Sequence, residues 1–207
     1  MATVIAFISQ KGGVGKSTLS RALAAEASKE KMKVLLADCD PQQGTSYNWN
    51  RLRNDKKIVS QMFSSVQEIW PLINNYDLTI IDGPARTSKS TLEIARQADL
   101  IIQPTGPSVD DCEPAVKEFH ALKEAGISKD KLLFVLNHLT TTREEINARE
   151  YLSKAGYSLL KSSLSEKASY RQAQNQGLAI TEVIYISLKT QAQKLIDEII
   201  EKIPEYN

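Results

Sequence analysis

The chain has 207 residues, 42% hydrophobic and 25% charged, with a formal net charge of +1. That length fits one α/β core and that balance excludes a disordered chain, while the near-zero charge gives no whole-molecule attraction to nucleic acid or anionic lipid. The two cysteines, Cys39 and Cys112, stand far apart, in no zinc or iron–sulfur spacing, and read as free thiols of a reducing compartment. No apolar run has the length of a membrane helix, and the opening residues lack the basic flank of a signal peptide, so a cytoplasmic protein is expected.

In chain order, short apolar runs alternate with helically periodic segments. Strands are expected at Thr3–Ser9, Lys33–Asp38, Leu78–Asp82, Leu100–Gln103, Leu132–Asn137 and about Tyr157–Lys161. Helices are expected at Lys16–Lys31, Val66–Asn75, Lys89–Gln97, Ser108–Ala125, Arg143–Ala155 and Ser187–Ile203, with Gly126 and Gly156 as C-terminal caps. Continuous apolarity, as in Leu78-Thr79-Ile80-Ile81, suits strands buried on both faces. The fold class is therefore α/β: one domain, a mostly parallel twisted sheet with helices on both faces. Gln42 to Ser65 has no clear period and reads as a short helix followed by a weak strand. No repeat, low-complexity tract or linker marks a boundary.

Gln10-Lys11-Gly12-Gly13-Val14-Gly15-Lys16-Ser17-Thr18 joins the first strand to the first long helix. Glycines there let consecutive N–H groups turn inward on phosphate oxygens, and the helix start adds its positive dipole end. Lys16 would neutralise the β- and γ-phosphates, and the Ser17 hydroxyl would bind Mg²⁺, a hard cation that takes oxygen ligands. Gln10 stands where G-x-x-x-x-G-K-[ST] has its first glycine. Asp38-Cys39-Asp40-Pro41-Gln42 and Leu78-Thr79-Ile80-Ile81-Asp82-Gly83 each end an apolar strand in acid. Ligands of open parallel sheets gather beyond the strands' carboxyl ends, and period-two alternation would put Asp38 and Asp40 on one side. Asp82 would hold the metal directly or through water. His120 and His138 fall in no metal spacing and read as surface or satisfied core histidines.

KGGVGKST, DxDPQ and the Asp82 strand resemble the ParA/MinD superfamily of ATPases with a deviant Walker A P-loop, and the likeness is to its small ParA partition type, similar to ParF. The resemblance implies an Mg²⁺-dependent ATPase whose Lys11 reaches the nucleotide of the other subunit in an ATP-dependent homodimer. It implies catalytic roles for Lys11, Lys16 and Asp40, which would position the attacking water, with Asp38 near the Mg²⁺ shell beside Ser17 and Asp82. ATP would be cradled by Lys11, Gly12, Gly13, Val14, Gly15, Lys16, Ser17 and Thr18, with Asn137 on the adenine side and Pro107 in a nearby loop. Partition of a plasmid or chromosome would follow, through nonspecific DNA binding on the nucleoid and a ParB-like or centromere-binding adaptor that stimulates hydrolysis. Lys161, Lys167, Arg171, Lys189 and Lys194 are the candidate DNA contacts.

No separate operator-reading domain is expected. The alternatives are an ATPase that positions a chemoreceptor array or microcompartment, or a MinD-like membrane-associated one. Asp197, Glu198, Glu201 and Glu205 against Lys202 argue against stable membrane binding by the closing helix.

Overall fold

Two-sided apolarity sets the architecture: along the first strand Ile5 and Phe7 enter one core, while Val4, Ala6 and Ile8 enter the other. The computed structural model of the chain describes residues 2–84 and 89–204. Its strands are β1 (Thr3–Phe7), β2 (Val34–Asp38), β3 (Ile58–Met62), β4 (Leu78–Asp82), β5 (Leu100–Thr105), β6 (Leu132–Leu139) and β7 (Ser158–Ser165). They form one seven-stranded sheet in the order β3-β2-β4-β1-β5-β6-β7, every pair parallel. The α-helices are α1 (Lys16–Lys29), α2 (Thr45–Leu52), α3 (Lys89–Gln97), α4 (Val109–Glu124), α5 (Thr142–Lys154), α6 (Ala168–Asn175) and α7 (Ile186–Ile200). Residues of α1, α2, α6 and α7 fill the core on one face; those of α3, α4 and α5 fill the other. Acids at the tips of β2 and β4 thus lie on one side of β1, and β5 and β6 on the other.

Gly126 and Gly156 take φ of 91° and 74°, the left-handed conformation a helix C-terminal cap requires. Elsewhere the structure departs from the sequence reading. Val66–Asn75 is two 3₁₀ segments, Val66–Glu68 and Trp70–Asn75, because Pro71 has no N–H to continue a helix and opens a second segment instead. β7 runs on to Ser165, its buried residues alternating with half-exposed and exposed ones as in a sheet edge. α6 was not foreseen. In the closing helix Leu195, Ile196 and Ile199 are buried, as is Ile203 beyond it; Glu205 lies outside the described residues. Among the described residues no helix is long and apolar enough to cross a membrane.

Candidate functional site

Where β1 gives way to α1, the chain must turn sharply beside the carboxyl ends of β4 and β2. A crevice of about 290 Å³ opens there, walled by Gly12, Gly13, Gly15, Lys16, Ser17 and Thr18. Asp40, Asp82, His138 and Arg171 also line it. Gly15 has φ 108°, and a Cβ there would clash with the Asn137 side-chain amide, so both backbone and space demand glycine.

Lys16 is buried, and burial pulls its ammonium below the ordinary pKa; Asp82, Glu118 and Asp40 pull the other way without cancelling it. An anion entering the crevice would favour the charged form. Asp82 is also buried: its Oδ2 accepts from Ser46 Oγ at 2.6 Å, and its Oδ1 has no hydrogen-bond partner among the described residues. Burial pushes its pKa up to about 6, against the hydrogen bonds from Ser46 and Ser17. A buried carboxylate oxygen without a donor, beside a serine hydroxyl at the head of a helix, fits a hard divalent cation.

Lys11 turns away from this floor. Its Nζ pairs with the Asp111 carboxylate and donates to Asp110 O at 3.4 Å. That carbonyl is free because Pro114, four residues on in α4, has no N–H to donate to it. Burial opposes the charged form of Asp111, yet its bonds to Lys11 and Ser108 hold its pKa below the ordinary value. The neighbouring Gln10 N–H donates to Glu118 Oε2 at 3.0 Å, anchoring the loop to α4.

A strand-end glycine loop, a buried lysine and a carboxylate open to a cation are the parts of a nucleotide-binding P-loop. A family model described as the CobQ/CobB/MinD/ParA nucleotide binding domain matches residues 5–180. The chain belongs to this family. It is 28% identical over 186 residues to the "Maintenance of carboxysome distribution protein A" of Gloeobacter kilaueensis, covering 86% of this chain and 83% of that protein. It is 24% identical over 177 residues to "Protein ParA" of Rhizobium radiobacter, covering 81% of this chain and 80% of the relative. Among solved structures, the septum site-determining protein MinD of Pyrococcus horikoshii, complexed with Mg-ADP, superposes with a TM-score of 0.76. The identity there is 18%, over 100% of this chain and 99% of that one. The fold is that of the ParA/MinD superfamily.

With the family's loop in place, the expected residues sort by position. Gly12, Gly13, Gly15, Lys16, Ser17, Thr18, Asp40 and Asp82 meet in the crevice. Asp38 does not. Its Oδ2 accepts from the backbone of Ser46 at 2.8 Å and Tyr47 at 3.1 Å, and its Oδ1 accepts from Asp40 N. β2 ends at Asp38, so the expected alternation stops and Asp40 reaches the crevice from a turn instead. Asn137 and Pro107 do not line the crevice either. Asn137 donates to Val14 O at 2.9 Å and accepts from His138 N at 2.9 Å, bracing the loop from beneath. His138, expected to be a surface or satisfied core histidine, instead sits at φ 57° and lines the crevice, its buried Nε2 without a partner among the described residues.

The five candidate DNA contacts do not form one cluster. Lys161, Lys189 and Lys194 line a groove of about 780 Å³ along α7, where Lys202 adds a charge and Asp197, Glu198 and Glu201 offset three. Lys167 precedes α6, and Arg171, on α6, pairs with Glu166 at 2.9 Å.

Sequence reading missed Glu118, Ser46 and Arg21. Glu118 interrupts the apolar face of α4 between Ala115, Phe119 and Leu122, and that break in the stripe was its available signal.

Proposed function

We propose that the protein is an Mg²⁺-dependent ATPase of the ParA type. ATP bridges two subunits into a dimer, the dimer binds DNA nonspecifically on the nucleoid, and a ParB-like or centromere-binding adaptor stimulates hydrolysis to release it. The observation that carries this reading is a glycine-walled crevice lined by the buried Lys16 and by Asp82, whose Oδ1 lacks a donor among the described residues.

Phosphoryl transfer asks a protein mainly for position and charge. Loop amides and Lys16 hold the triphosphate; Ser17 and Asp82 would hold Mg²⁺, with Asp38 fixing the loop that carries Asp40. Mg²⁺, when bound, neutralises charge on the β- and γ-phosphate oxygens. Asp40 orients the attacking water. Lys11 adds positive charge across the dimer, comparable in role to an arginine finger. Asn137 and Pro107 belong to the nucleoside side, beyond β5.

Asp40→Ala should abolish turnover while ATP binding persists; ATP hydrolysis and fluorescent-nucleotide titration measure the two. Unchanged turnover would remove Asp40 from the mechanism. Sedimentation with ADP and with a nonhydrolysable analogue tests the dimer, and equal mass in both refutes it. DNA co-sedimentation over a salt series tests Lys161, Lys167, Arg171, Lys189 and Lys194, since phosphate contacts give salt-sensitive binding.

A second reading, the positioning of a cargo such as a microcompartment, is favoured by the 28% identity to a carboxysome distribution protein. The adaptor would then decide between DNA and another cargo.

A further inference from the structure

Arg21 is 8% exposed, a guanidinium on a helix whose neighbouring positions Leu19, Ala22 and Leu23 are apolar and buried. It stands one helical turn beyond Ser17 and shares its face of α1. Burial lowers its pKa, which Asp82 and Asp38 partly restore. A cation placed so deep needs a polar task to offset the lost hydration.

Its hydrogen bonds define that task. Nε donates to Ser46 Oγ at 3.3 Å, and Nη1 donates to Gln174 Oε1 at 3.1 Å. Ser46, fully buried, in turn donates its hydroxyl to Asp82 Oδ2 at 2.6 Å. A serine hydroxyl has one hydrogen and a free rotor. With Arg21 occupying a lone pair, the hydrogen is directed to Asp82, so Oδ2 is satisfied and Oδ1 is the oxygen left without a donor among the described residues. Gln174 lies on α6, one turn beyond Arg171, which lines the crevice. A single hydrogen-bonded chain, half-buried at Gln174 and buried from Arg21 inward, thus runs from α6 through Arg21 and Ser46 to the acid tip of β4.

Resting on the reading of the crevice as a magnesium–nucleotide site, we propose that Arg21 and Ser46 are positioning residues that present Asp82 to the metal and tie its occupancy to α6. The competing role is packing alone, since the Arg21 guanidinium lies 5.7 Å from the centre of the Trp49 ring.

Electron paramagnetic resonance of Mn²⁺ added to the protein–ADP complex separates the two, with ADP affinity in EDTA as a control. Ser46→Ala and Arg21→Met should each weaken Mn²⁺ binding by about tenfold, as loss of a partner behind a metal ligand does. The double variant should weaken it no further, and ADP affinity in EDTA should stay within about twofold. Hydrogen exchange adds a readout at a distance: Mg²⁺–ADP should protect the α6 amides in the wild type but not in Gln174→Leu or Arg21→Met. Ser46→Ala, which removes one atom, keeps the test open should Arg21→Met fail to fold.

Normal ADP binding with unchanged Mn²⁺ affinity in Ser46→Ala overturns the proposal alone. Independent, multiplying losses in the double variant overturn the relay. Absence of ADP binding in the wild type overturns the nucleotide reading and the relay with it.

Discussion

Two lysines in one loop live under opposite conditions. Lys16 is 7% exposed, on a floor braced by Asn137 from below and by Asp82 and Ser17 from the side. The Lys11 side chain is 43% exposed and held through its ammonium by Asp111 and the carbonyl that Pro114 leaves free. The inner half of the loop is braced by buried groups; in the outer half the backbone is anchored through Gln10 to Glu118, while the Lys11 side chain is held by an exchangeable ion pair. Preorganisation there serves binding, and a replaceable pairing here leaves Lys11 able to serve a second anion.

Lys16→Ala should expose this contrast most strongly. Losing charge-assisted bonds of about 3 kcal/mol lowers ATP affinity roughly 100-fold by calorimetry. Lys11→Ala should leave that affinity within about threefold, because surface charges contribute little. Equal losses in the two variants would erase the distinction.

Asp82 gives the next largest effect. In the folded, metal-free protein it holds its proton up to about pH 6, against an ordinary value of 3.8. Between those values the folded chain binds more protons than the unfolded one, so stability falls as pH rises and levels off above about 6. The gap amounts to roughly 3 kcal/mol. Asp82→Asn, which keeps an acceptor for Ser46, should therefore raise urea stability in EDTA at pH 7.5 and change it little at pH 3.5. A variant no more stable than wild type at pH 7.5 would show that the carboxylate carries no such strain.

The inner half was also the legible half, for the same reason. A phosphate cradle needs consecutive amides, so its residues are neighbours in sequence, and buried parallel strands announce themselves as apolar runs. Ser46, Arg21 and Glu118 act across long sequence separations, and only Glu118, by breaking the apolar stripe of α4, carries a local mark. Asp38 was misplaced because Gly44, the residue at the N-cap of α2, has no side chain to cap it, and the orphan amides of Ser46 and Tyr47 draw in the carboxylate from β2. The irregular stretch from Gln42 to Ser65 folds through partners far downstream. Trp49 donates to Leu178 O at 3.0 Å, and Arg53 bonds to Gly177 O and Glu182. Periodicity within the segment could not show that.

The smallest expected effect tests the outer half. The Lys11–Asp111 pair is partly hydrated, so Asp111→Asn should cost under about 1 kcal/mol in thermal unfolding. Its consequence for assembly is larger than its consequence for stability. If Asp111 competes with a partner's nucleotide for the Lys11 ammonium, removing its charge strengthens the ATP-bound dimer, whereas Lys11→Ala weakens it. Sedimentation equilibrium with a nonhydrolysable ATP analogue distinguishes the directions. Opposite shifts mean that the ion pair restrains Lys11; weakening in both variants would place Asp111 in the dimer contact itself, and the outer half of the loop would then be an interface and not a tether.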